Sequence, residues 1–295
     1  MTSILSPKTL STKVTTAKPQ AKGKNRRRWV FTVAVGLAAL LVNVPLLNSL
    51  LVSFKSNGDI TGNPLALPAH PTVSHYTNVF YGAGYDFPRY FLNSGLIALG
   101  TVLLVLILAV PGTYASVRLG FGSSRIVHLA SGLRLLPAIF FIVPLFILFS
   151  NMGLQDTIPG LIVADTFVNL PLAIILIAAG MQDLPIEVEE AAAMDGASIY
   201  RTLFSVVVPM LGSALVSVAV LTFIFSWEDY LFALVLSTSN ATPVTLGAAN
   251  FITSTGIKWG DISAASILST LPPLAFAVFA QRYLVSGLSA GAVKG

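Results

Sequence analysis

Residues 91–117 read FLNSGLIALGTVLLVLILAVPGTYASV, a run without one charged side chain. A bilayer's hydrocarbon core is about 30 Å thick and a helix rises about 1.5 Å per residue, so roughly 20 apolar residues cross it. This run is long enough to cross a membrane as a helix and too long for a core strand. Five more runs of the same kind lie on either side, near 29–53, 126–150, 158–180, 206–236 and 263–284. The run 206–236 is long enough to tilt or to break near its end. The expected fold is therefore an all-α membrane protein with six transmembrane helices.

Composition agrees: 55% of residues are hydrophobic and 10% charged, and the charges sit in short stretches between the apolar runs, which excludes an ordinary soluble domain. Cysteine is absent, so neither a disulfide framework nor a thiolate metal site can form. Residues 1–28 carry Lys8, Lys13, Lys18, Lys22, Lys24, Arg26, Arg27 and Arg28 among Ser, Thr, Pro and Gln, a composition with nothing to bury. They read as a disordered basic tail, and residues 29–295 as one transmembrane domain. The run that follows is too long for a secretory signal and lacks a small-residue cleavage site, so it reads as a retained anchor. A net charge of +5 also raises nucleic-acid binding, but no aromatic-interleaved basic fold accompanies the tail. Its charges suit orientation and contact with the anionic lipid bilayer instead, with no nucleic acid.

With six spans and the tail inside, the cytoplasmic segments hold Arg118, Arg125, Arg201, Arg282 and Lys294 besides the tail, and the external ones only Lys55, Arg89 and Lys258. The positive-inside rule then puts both termini in the cytoplasm. Residues 54–90 and 237–262 face outside, and 181–205 form the main cytoplasmic loop.

That loop, QDLPIEVEEAAAMDGASIYRTLFSVVVP from residue 182, has Asp183 as a candidate N-cap, Pro185 in the first turn, and Glu187, Glu189 and Glu190 near the positive end of a helix. Ala191, Ala192 and Ala193 extend it, Gly196 can end it in the left-handed conformation, and Ser198 can cap a second helix running past Pro209. A small-residue face of this kind fits deep into a groove on another protein. It also reads as an ordinary loop helix whose alanines reflect helix propensity.

Glu190-Ala191-Ala192, then Gly196, then Val206-Val207-Val208-Pro209 resembles the EAA loop of binding-protein-dependent ABC importer permeases, with valines for the usual Ile and Leu. Tyr90-Phe91-Leu92-Asn93-Ser94, Trp259-Gly260 and the stretch 281–295, QRYLVSGLSAGAVKG, extend the likeness toward the carbohydrate branch and its maltose-transporter G-type subunits. The resemblance implies a MetI-like permease core that works with a second homologous permease subunit, two ATP-binding-cassette ATPase subunits and an external substrate-binding protein in a bacterial inner membrane. It implies ATPase coupling by Glu190, Ala191, Ala192, Asp195, Gly196 and Pro209, within a coupling loop at 181–209. It also implies an external loop facing the binding protein, with Pro243, Gly247, Asn250, Phe251 and Gly256.

No Gly-x-x-x-x-Gly-Lys-Ser/Thr phosphate loop occurs, so no cofactor is expected on this chain, and ATP and Mg belong to the partner ATPases. The three histidines, His70, His75 and His128, have no metal-ligand or nucleophile–base spacing, so no catalytic or metal site is expected. Asn93, Trp227, Glu228, Asp229 and Tyr230 are candidates for the translocation path. Carboxylates bind sugar hydroxyls and rings take apolar sugar faces, but an acid here could equally cap a broken helix or be pinned to the partner. Arg134, near the inner end of the third span, is expected to snorkel or to pair with lipid or a partner. The rival class is an ion-coupled secondary transporter with Asp165, Glu228 and Asp229 as ligands, against which stand the absence of an inverted repeat and the EAA loop.

Overall fold

The computed structural model describes residues 22–63, 66–82, 85–122, 125–253 and 256–290, and within them each apolar run folds as helix. Helix α1 spans Lys22–Ser53, so residues 22–28 of the expected tail are helical, while residues 1–21 lie outside the described part. The chain divides into two units, Met1–Leu47 and Asn48–Gly295. In the first, Trp29, Phe31 and Leu41 all point outward, a surface suited to lipid.

The second unit is built around α4 (Phe87–Val117) and α7 (Ile158–Gln182), after two short helices, α2 (Asn57–Gly62) and α3 (Ser74–Tyr81). The starts of α4 and α7 follow from local chemistry: Asp86 accepts from the Arg89 N–H, Thr157 accepts from the Gly160 N–H, and a proline stands in each first turn where no amide partner is needed. The two helices approach closely where Ile162 packs over Gly100, as membrane helices do at small residues.

Two of the six spans are broken. Helices α5 (Arg125–Leu135) and α6 (Ile139–Met152) meet at 102°, with Pro137 at the break. Helices α9 (Ile199–Met210) and α10 (Gly212–Trp227) meet at 78° across Leu211. Pro209 lacks an amide hydrogen and its ring crowds the preceding turn, and α9 widens into a π-turn over Leu203–Val207 just before it. Pro111, Pro144 and Pro171 stay inside helices. The expected fifth span, 206–236, is thus three pieces: part of α9, α10, and α11 (Leu231–Leu236).

Beyond α11 come α12 (Val244–Gly247), a 3-10 turn at Ala248–Phe251, and a two-stranded antiparallel hairpin, β1 (Ile252–Thr253) and β2 (Gly256–Ile257). The hairpin is a small exception to the all-α expectation. Helix α13 (Trp259–Ala290) closes the bundle, and residues 291–295 of the C-terminal motif lie outside the described part.

Three apolar clusters hold the second unit together. Val105, Val110, Ile177, Met181, Leu203 and Val207 join α4, α7 and α9 at one end. Phe87, Phe223, Trp227, Phe251 and Ala264 form the second, and Ile97, Phe149, Leu161, Phe232 and Leu236 the third. Alternate connections gather at opposite ends: Asp156 meets residues 238–241 and His75 meets Asp261, while Arg118 meets Met181, Leu184 and Glu189. That is the order successive crossings by the helices of this unit require.

Candidate functional site

At the Arg118 end, α8 (Ile186–Met194) projects from the bundle. Its N-cap is Pro185, two residues later than the expected Asp183, which instead closes α7. The proline fixes an extended entry, so the first amides of α8 are left to complement Glu187 and Glu189. Gly196 stands at φ +80, and the N–H groups of Gly196 and Ala197 return to the carbonyls of Ala193 and Ala192, both at 3.0 Å, which is how a left-handed glycine ends a helix. The Ser198 hydroxyl then accepts from the Arg201 N–H and starts α9. Glu190, Ala191, Asp195, Gly196 and Pro209 are exposed and Ala192 is half-buried. Ile186, Val188, Met194 and Tyr200 are apolar and exposed beside them, with Met194 89% open. A helical hairpin of this size with so much apolar surface is built to be covered.

Glu189, next to Glu190, turns inward. The Arg118 side chain, at the end of α4, donates to Glu189 Oε1 at 2.7 Å and to the carbonyls of Met181 and Leu184 at 2.7 and 2.9 Å. One guanidinium therefore caps the end of α7 and pins α8 to α4. Sequence reading counted Arg118 only toward topology; its place right after an apolar run, more than sixty residues before its partners, carries no signal of the pairing.

At the other end, Asp156 accepts hydrogen bonds from the backbone N–H groups of Thr238, Ser239, Asn240 and Ala241 at 3.0 to 3.2 Å. Partial burial disfavours the charge, but these four donors outweigh it and hold the carboxyl well below the usual carboxylate range. Asn93 is buried and donates to the carbonyls of Asn240 and Thr242, both at 3.0 Å, and Ser94 accepts from the Val244 N–H. Asn93 thus acts as a strut for residues 240–242. Pro243, Gly247 and Phe251 are buried as well; a Cβ at Gly247 would strike the Tyr90 ring. These three pack the segment, which leaves Asn250 and Gly256 as its exposed members. His75 bonds Asp261 at 2.6 Å and the Lys55 carbonyl at 2.9 Å, tying α3 to α13, a pairing of positions 186 apart that the sequence does not display.

Among the path candidates, Trp227 is buried, donates its indole N–H to the Ser269 carbonyl at 3.0 Å and stacks on Phe223. Its edge and the exposed Glu228 border a cavity of about 490 Å³ between α10, α12 and α13, with Thr245, Ser266 and Thr270. Tyr230 is exposed. The Asp229 carboxylate accepts from the N–H groups of Phe232 and Ala233 at 3.2 Å, so it caps α11 where the span is broken. Asp165, inside α7, accepts a bond from the Ser226 hydroxyl. The α5–α6 break brings Arg134 over the Phe225 ring, 5.5 Å from its centre, beside Asp165 and Asp229.

Residues 112–290 match the family described as binding-protein-dependent transport system inner membrane component. The chain is 34% identical over 276 residues to the inner membrane ABC transporter permease protein YcjP of Escherichia coli (strain K12), covering 90% of this chain and 96% of that one. It is 35% identical to the trehalose transport system permease protein SugB of Mycobacterium tuberculosis (strain CDC 1551 / Oshkosh), over 90% of this chain and 95% of SugB. It is 32% identical to the trehalose/maltose transport system permease protein MalG of Thermococcus litoralis (strain ATCC 51850 / DSM 5473 / JCM 8560 / NS-C), over 91% and 98%. A chain in the crystal structure of a bacterial ABC transporter involved in the import of the acidic polysaccharide alginate shares the fold, with a TM-score of 0.74, 23% identity, and 90% and 99% of the two chains covered.

Proposed function

The chain belongs to the family of binding-protein-dependent transport system inner membrane components, and from that premise we propose that it forms half of a sugar-import path, driven from outside itself. It is a multi-pass permease subunit of an ABC importer, not an enzyme, which sets aside the ion-coupled secondary transporter. An external binding protein delivers the cargo. A second, homologous permease supplies the other half of the path, and two cytoplasmic ATPase subunits bind ATP and Mg. Both termini lie in the cytoplasm, with residues 29–295 as the transmembrane domain and 181–209 as the coupling loop.

The observation that carries this reading is the exposed α8–α9 hairpin, with Gly196 left-handed at its tip and Arg118 behind it. Closure of the ATPases pushes on Glu190, Ala191, Ala192, Asp195 and Gly196, and α9 passes the displacement through Pro209 to its break at Leu211. Packed helices switch between discrete arrangements instead of stretching, so the spans reorient between inward-open and outward-open states. Asn250 and Gly256 meet the binding protein, while Trp227, Glu228, Asp229 and Tyr230 stand near the path. The sugar class comes from the named relatives, SugB and MalG.

The test is uptake by the complex in proteoliposomes with its ATPases and binding protein, using labelled trehalose and maltose. ATP-dependent accumulation that requires the binding protein is expected. ATP hydrolysis by this chain purified alone would refute the assignment.

A further inference from the structure

Arg134, Asp165, Asn169 and Asp229 come from three different spans and line one cavity of about 180 Å³, floored by Phe225 and Phe232. Arg134 makes no ion pair within 4.0 Å among the described residues, although two carboxyl groups share its cavity. Asn169 is 95% buried, since 5% of it is exposed, and its side-chain carbonyl oxygen has no hydrogen-bond partner. Its amide nitrogen is already committed to the Asp165 carbonyl at 2.9 Å. A buried acceptor without a donor costs about 1–3 kcal/mol, and a guanidinium at membrane depth is tolerated only against water or protein. The cavity is therefore a place where something hydrogen-bonding belongs.

The backbone leads to the same place. Arg134 sits at the α5–α6 break and Asp229 at the gap between α10 and α11. Broken helices inside a bilayer survive only where they are buried in protein or border a wet cavity. A ligand that suits a guanidinium, an amide oxygen, two carboxyl groups and an adjoining aromatic ring carries hydroxyls that both donate and accept, and an apolar C–H face. A metal cation does not suit a site that shares its volume with a guanidinium.

We propose that Arg134, Asp165, Asn169 and Asp229, with the ring of Phe225, form a subsite of this chain that holds hydroxyl groups of the sugar cargo during transit. The subsite lies on the α5–α7–α10 side of the subunit, away from the Trp227 cavity, and rests on the sugar-import reading above. Asp165 and Asp229 also brace Ser226 and α11, so the informative substitutions are Arg134→Gln and Asn169→Ala.

In proteoliposomes holding the whole complex, uptake of trehalose, maltose and diacetylchitobiose is compared for wild type and each variant. The expected result is a change of roughly fivefold in the preference among these sugars, the worth of about one hydrogen bond, with co-purification of all subunits and basal ATPase intact. An unchanged order of preference, whether uptake is normal or uniformly reduced, overturns the subsite, and so does loss of assembly in both variants, which would mark a partner contact. Wild-type complex that imports none of the three probes would instead strike at the sugar reading and take the subsite with it.

Discussion

Removing the Arg118 guanidinium should uncouple ATP hydrolysis from transport without unfolding the bundle. Arg118→Met keeps the length of the aliphatic stem and deletes three hydrogen bonds of 2.7, 2.7 and 2.9 Å, one to Glu189 and two to the carbonyls that end α7. Charge-assisted bonds contribute about 1.5–3 kcal/mol each, and breaking a fully buried pair costs about 3–5 kcal/mol. The two side chains here are still 13% and 11% exposed, so water replaces part of the loss. About 3 kcal/mol is a reasonable sum, roughly a hundredfold in the ratio of pinned to released α8. Glu189→Gln keeps an acceptor and loses only the charge, so it should cost about 1–2 kcal/mol. The assay is the number of ATP molecules hydrolysed per sugar imported by the reconstituted complex, with thermal unfolding measured alongside. Both single variants should raise that ratio, and the double variant should be no worse than Arg118→Met alone. Additive effects, within about 0.5 kcal/mol, would show that the two side chains act independently and refute the strut.

Two further outcomes follow from single positions. Gly196→Leu forces a branched residue to φ +80, costing about 1–2 kcal/mol at the tip of the hairpin, and should abolish transport while membrane insertion survives; normal uptake would remove the tip from the coupling path. Asp156 binds its four amides best as a carboxylate, so its pKa is depressed on folding and its contribution is present above the ordinary carboxylate value of about 3.9 and lost as pH falls below it. Thermal stability of the wild-type complex should therefore fall more steeply in acid than that of Asp156→Asn, which starts lower; parallel pH profiles would rule the clamp out.

The spans were legible because each is one long apolar run, a signal local to the chain and enforced by the bilayer. The α8–α9 hairpin was legible for a similar reason, since the acids, Gly196 and the Ser198 cap act over a few residues. What sequence did not display is where residues far apart converge. Arg134 read as a side chain that snorkels or pairs, because its run reads as one unbroken helix, and the bend after Leu135 is what sets it against Phe225. Asp229 left two readings, and its carboxylate both accepts from Phe232 and Ala233 as a cap of α11 and borders the Arg134 cavity. Gly247 and Phe251 looked like parts of an exposed loop because their composition is loop-like, yet the segment folds inward against Tyr90 and Tyr85. Lys55, a charged residue in an external stretch, is almost wholly buried, which no hydropathy pattern foretells.

The distribution of breaks says how a push at α8 can reach the far side. Helix α4 runs uninterrupted from Phe87 to Val117, about 46 Å at the usual rise. At one end Arg118 holds α8, and at the other Asn93 and Ser94 hold the segment before α12 through Asn240, Thr242 and Val244. A rod fixed at both ends moves them together. The bends at Pro137 and Leu211 lie in the neighbouring spans, where rotation can be taken up at a few backbone positions without tearing helix hydrogen bonds. Arg134 stands at one of these bends, and Asp229 caps the short helix after α10, so the cavity they share should change shape whenever the rod moves. Under the proposed coupling, a cargo subsite located there would be tightened or opened by the same displacement that a push at Gly196 starts.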